Sequence, residues 1–184
     1  MHLRTIAQLL LLLAACLLAP TAAPAQSRTN AMSDAEVEQV RTLAYEPNER
    51  VAFFQKMMAQ RISEIEKINA ARRINDRGSQ LHDLMDQFAS LADDLDDNFD
   101  DYQHRHWDVR RALRKLIEAS AKWQEPLNQP PPDPAYDVTR KLALDAAADI
   151  HDSARKLLDD QTAWFAAHPP SKDKDESAPV IIPR

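Results

Sequence analysis

Asp97, Asp100, Asp101 and His104 recur at i, i+3, i+4 and i+7, a spacing that places all four side chains on one face of a helix. Three carboxylates and an imidazole on one face are the donors a divalent cation takes. The calcium-loop template nevertheless fails when counted from Asp96. Its sixth position is Asp101 where glycine is required, and its twelfth is Trp107 where glutamate is expected. The competing reading is a solvated face paired with Arg61 and Lys56, and the sequence favours it. Asp97, Asp101 and His104 remain the alternative metal set. The histidines from His82 onward form neither an H-E-x-x-H motif nor an i, i+4 pair. His106 falls in an apolar stripe and reads as a packed core residue. Met57, Met58 and Met85 read as core and not as haem ligands, so no cofactor is expected.

Catalytic motifs are as scarce as metal motifs. Gly78 is the chain's only glycine, which removes the dinucleotide loop, the phosphate loop and the G-x-S-x-G nucleophile elbow. No cysteine follows Cys16, so the rest of the chain has no disulfide, thiolate zinc site, C-x-x-C-H haem attachment or cysteine nucleophile. Carboxylates are plentiful, but none stands alone in an apolar setting that would tune it as a general acid. The sequence therefore reads as a non-enzyme. Its formal net charge of −6 disfavours a nucleic-acid partner. Arg110, Arg111, Arg114 and Lys115 beside Trp107 could form an anion patch; the favoured reading makes them partners for Asp145 and Asp149.

The amino terminus reads as an export signal. Arg4 precedes an apolar run from Ile6 to Leu18, and Ala23-Pro24-Ala25 offers a cleavage site. The run is shorter than the roughly 20 residues a membrane span needs. A second reading takes Leu13-Ala14-Ala15-Cys16 as a lipoprotein site, with Cys16 lipidated, and this is the one route to a membrane. The apolar residues after Cys16 favour cleavage after Ala25. Both readings send the protein out of the cytoplasm, to the periplasm or the medium.

The elements that must position these residues are helical. Residues 1–25 are expected to form the signal, 26–32 a linker, 33–168 a helical domain and 169–184 a disordered, charged, proline-containing tail that includes Val180-Ile181-Ile182. Ser33 and Glu36 have capping-box spacing for a short helix near 34–44. Pro47 suits a helix start, and Val51, Phe54, Met58, Ile62, Ile65 and Ile68 continue at helical spacing toward Arg77. Gly78 then closes the turn at positive φ and Ser79 caps the next helix. From Ser79 to Glu125 there is no glycine or proline. A heptad-like stripe from Leu81 to Leu116 crosses the acidic run with one four-residue stutter. One continuous helix ending at Pro126 is favoured over a break near Asp97–Asp101. A last helix starts at Asp133-Pro134, carries Ala143, Ala147, Ile150, Ala154, Leu157, Gln161 and Trp164, and stops at Pro169-Pro170.

The fold class is thus all-α: an elongated antiparallel bundle of three long helices and a short amino-terminal one, with coiled-coil-like packing. A hairpin centred on Gly78 sets Arg72 and Arg73 beside Asp83 and Asp86, Arg61 beside Asp93 to Asp97, and Lys56 near Asp100. A second hairpin, centred near Gln129, sets Asp145 and Asp149 beside Arg110 to Lys115. Phe53, Phe54, Phe99, Tyr102, Trp107, Trp164 and Phe165 then converge as the main core. The expected function is an exported binding, adaptor or chaperone-like module of the cell envelope, with another envelope protein or itself as partner. A periplasmic carrier of a cation or small ligand is the alternative.

Overall fold

The computed structural model describes residues 30–169; the expected signal, Cys16 and all of the tail beyond Pro169 lie outside them. Six helices follow in order: α1 Asp34–Thr42, α2 Pro47–Ala70, α3 Arg77–His104, α4 Arg110–Ser120, α5 Gln124–Asn128 and α6 Asp137–Ala167. The all-α bundle expected from the sequence is present. Its apolar stripes are buried as spaced: Val51, Phe54, Met58, Ile62, Ile65 and Ile68 on α2, Leu81, Phe88, Leu91, Leu95, Phe99 and Tyr102 on α3, and Leu113 and Leu116 on α4. Met57 and Met85 are buried with them. No helix among the described residues is long and apolar enough to cross a membrane.

The long helix is the main correction. It passes through the acidic run unbroken, then ends at His104, and α4 begins at Arg110. Both the continuous helix and the alternative break near Asp97–Asp101 are therefore overturned. Pro126 lies in the first turn of α5 instead of ending a rod. The chain doubles back at residues 105–109, so α4 and α5 run opposite to α3. Each of α3 and α4 packs on both α2 and α6, which makes α3 and α4 diagonal neighbours in a four-cornered bundle. Trp123, at the α4–α5 joint, reaches across that diagonal and sets its ring edge-on to Phe88 at 5.4 Å. The core thus runs the length of the bundle and is not concentrated at residues 95–107.

Register differs from expectation by about two to three helical turns. Arg61 Nε donates to Gln87 Oε1 at 3.0 Å, which centres the α2–α3 hairpin near residue 74 instead of 78. Arg61 therefore sits away from Asp93 to Asp97 and reaches α1, donating to both carboxylate oxygens of Glu36 and to the carbonyl of Ala31. Ala31 and Met32, expected as linker, pack against the core. The α4–α6 pair is antiparallel as expected but centred near 135: Val109 meets Gln161 and Ser120 meets His151. Asp145 pairs with Lys141 of its own helix instead of the α4 arginines, and Arg111 pairs with Glu49.

Gly78 also departs from expectation. It is helical, at the start of α3, and Ser79 lies inside the first turn instead of capping it. Positive φ belongs to Asp76 at 53° and His106 at 52°. Arg77 closes the α2–α3 connector by donating to the carbonyls of Asn69 and Ala71. A β-carbon on Gly78 would stand 3.0 Å from the β-carbon of Ala135, so glycine is needed there for close approach.

Three predictions come from this arrangement. Gly78→Ala gains helix propensity but compresses a contact with a rigid β-carbon; it is expected to lower stability by about 1 kcal/mol in urea unfolding, and Ala135→Gly in the same chain should restore it. Asp76→Gly relieves left-handed backbone and should raise stability by up to about 1 kcal/mol. The third concerns Glu36, whose capping box with Ser33 is formed as expected. Arg61 hydrogen bonds hold its carboxyl at about 2, below the ordinary 4.5; the two side chains are 13% and 17% exposed. Stability from this depressed carboxyl is present above pH 4.5 and lost as pH falls toward 2, on the order of 2 kcal/mol after allowing for partial exposure. Glu36→Gln should flatten the pH dependence of unfolding in that window.

Candidate functional site

The carboxyl end of α3 is shaped by backbone chemistry that usually calls for glycine. Arg105 is the C-cap of α3, and His106 takes the left-handed conformation after it. The His106 amide donates to the Gln103 carbonyl at 3.2 Å, and the Trp107 amide donates to the Tyr102 carbonyl at 3.0 Å. These are the two hydrogen bonds of a Schellman closure, and the Trp107 ring stacks on Tyr102 with centroids 6.1 Å apart, supplying its apolar contact. Histidine tolerates this conformation better than most residues.

Two amide side chains then hold the corner. Gln161 of α6 is buried; its Nε2 donates to the Trp107 carbonyl at 2.8 Å and its Oε1 accepts the Val109 amide at 3.1 Å. Asn48 of α2 donates to the Asp108 carbonyl at 2.7 Å and accepts the Ala112 amide at 3.2 Å. Asp108 accepts from the Arg110 amide and guanidinium, and that guanidinium holds its carboxyl below the usual range. The carbonyls of Trp107 and Asp108 and the amides of Val109 and Ala112 thus each have a partner from a neighbouring helix.

Outside the corner lies a half-exposed aromatic cluster. Trp164 stacks on His106 at 4.0 Å and 11°, and on His168 at 4.5 Å and 18°. Two imidazoles that close cannot share one face of the indole, so they flank it. Phe165 meets Trp164 edge-on at 4.7 Å, and the Arg110 guanidinium lies over Phe165 at 4.5 Å. Gln103, His106, Asp160, Gln161, Trp164 and Phe165 line a cleft of about 300 Å³. His106, expected in the core, is exposed and lies off the helix. Of the expected aromatic convergence, Phe54, Phe99 and Tyr102 are buried and Trp107 packs beside them, while Trp164 and Phe165 form the cleft.

The remaining candidates are placed as follows. Asp97, Asp101 and His104 are exposed. Asp101 pairs with Arg105, and the His104 ring lies 2.7 Å from the Asp100 carbonyl. No three histidine or acidic side chains converge as a metal set among the described residues. Ser120 Oγ lies 2.9 Å from His151 Nδ1, a nucleophile-and-base spacing that the sequence did not flag. Ser120 is buried at the end of α4 and also bonds the Ile117 carbonyl, so this pair clasps α4 to α6. Comparison with protein-family models, curated proteins and solved structures finds no match.

Gln161 was visible in the sequence only as an amide within an apolar stripe. Replacing it with leucine leaves the Trp107 carbonyl and Val109 amide buried without partners. Gln161→Leu is expected to cost about 2–4 kcal/mol in urea unfolding and to speed hydrogen exchange at the Val109 amide.

Proposed function

We propose that the protein is an exported, non-enzymatic binding module of the cell envelope, acting as an adaptor or chaperone-like clamp on another envelope protein. The observation that carries this reading is the cluster at the α3–α4 corner. Trp164 and Phe165 stand half-exposed beside His106, Arg110 and Asp160, and tryptophan, aromatic and arginine side chains are the groups that dominate protein interfaces. The cluster sits on rigid elements, since Gln161 and Asn48 fix the turn from both sides. Catalysis would need polar groups converging on an accessible reacting atom, and in the nucleophile-and-base pair described above Ser120 is buried. The acidic net charge and the leader-like first 25 residues support an envelope location with a protein partner.

The test is crosslinking and affinity capture from envelope extract, using the chain from Gln26 onward. A defined partner is expected, and Trp164→Ala with Phe165→Ala should weaken its capture about tenfold or more while the helical circular dichroism is kept. A blank capture, or undiminished capture by the double variant, contradicts this assignment.

A further inference from the structure

We propose that the groove between α3 and the first half of α6 docks a basic amphipathic helix of a partner protein. This rests on reading the chain as a binding module, and it adds a second surface with a stated partner chemistry. The groove exists because α3 and α6 run parallel at a constant offset of 57 residues, seen both at Gln103 with Asp160 and at Gly78 with Ala135. The same offset sets Ala89 against Ala146. Their small side chains leave a cleft of about 390 Å³ along the seam instead of filling it.

Three features define the occupant. The floor and one wall are apolar: Ala89, Ala146 and Leu142 line the cleft. Val138 and Leu142, one helical turn apart on α6, are 74% and 54% exposed. Large apolar side chains at turn spacing along a helix are the seam that accepts another helix at i, i+3 or i+4, and i+7. The rims are acidic, with Asp86 and Asp93 on α3 facing Asp145 and Asp149 on α6. Among the described residues the one cation paired with any of these four is Lys141, on Asp145. Burial, followed by Asp97, Asp96 and Asp149, pushes the Asp93 carboxyl up. The rims therefore carry like charges whose mutual cost a partner's lysines or arginines would relieve.

Other occupants fit less well. A small polycation would meet the carboxylates and leave Val138 and Leu142 in water. A second copy related by a two-fold axis would set this groove against itself, opposing carboxylate to carboxylate. A basic amphipathic helix satisfies both the apolar wall and the rims.

The test is fluorescence anisotropy with a labelled peptide of about 15 residues, four helical turns, carrying leucines on one face and lysines on its flanks. The same peptide with glutamates for lysines is the control. The lysine peptide should bind at least about tenfold tighter than the control and lose about tenfold when salt is raised to about 0.5 M. The triple variant D86N/D93N/D149N and the single variant Leu142→Ser should each lose about tenfold or more, with thermal melts confirming that both fold. Equal binding of the two peptides overturns the proposal, as does full binding by either variant. A particle mass that rises with protein concentration, without peptide, would assign the groove to a second copy and also overturn it. If the peptide fails while envelope capture through Trp164 and Phe165 persists, the groove proposal alone falls. If capture fails while the peptide binds, the fault lies with the envelope assignment.

Discussion

One buried amide, Gln161, governs the path of the chain at its sharpest change of direction. Between His104 and Arg110 the backbone leaves the helix and reverses, which strands the Trp107 carbonyl and the Val109 amide against the core. An unpaired buried backbone group costs about 1–3 kcal/mol. Gln161 supplies a donor to one and an acceptor to the other. The rest of the architecture depends on that reversal. It sends α4 back along the bundle, makes α3 and α4 diagonal partners, and leaves α3 free to lie parallel to α6. The groove between those two helices is a consequence of the corner.

The lone glycine shows how conformational and steric demands can be separated in one fold. Left-handed backbone occurs at Asp76 and His106, where short polar or aromatic side chains bear a modest conformational cost. Glycine stands where a β-carbon would be crowded, at the contact between the start of α3 and Ala135. His106 also gives its conformation a use, because the exposed ring stacks on Trp164 and ties the corner to the last turn of α6.

Much of the fold was legible in the sequence, and the failures share a cause. The stripes on α2, α3 and α6 were readable because apolar periodicity reports directly on burial, and the Ser33–Glu36 capping box was readable because both partners are local. The corner was not. Its punctuation is His106 in place of glycine and an Asp108 turn in place of proline, so composition gave no warning of it. Register was missed by about two to three turns because it was anchored on Gly78 and on pairing of opposite charges. Exposed ion pairs contribute at most about 1 kcal/mol each, and here several close within their own helix, as Asp101 with Arg105 and Lys141 with Asp145 do. Of the site, Trp164 was foreseen as a stripe residue, whereas the groove depends on a parallel pairing that no local pattern encodes.

The corner therefore sets both surfaces on which the proposed binding rests: the aromatic cleft outside it and the acidic seam that the reversal makes possible. Its existence can be measured as a distance, and the absence of cysteine after Cys16 makes site-specific labelling direct. Ser79 and Glu125 are both exposed, and the reversal brings them to the same end of the bundle. Spin labels on Ser79→Cys and Glu125→Cys, in the chain from Gln26 onward, are expected to lie about 15–30 Å apart, the span of two to three helix diameters. A separation near 70 Å, the length of an unbroken helix between them at about 1.5 Å per residue, would contradict the corner and everything built on it.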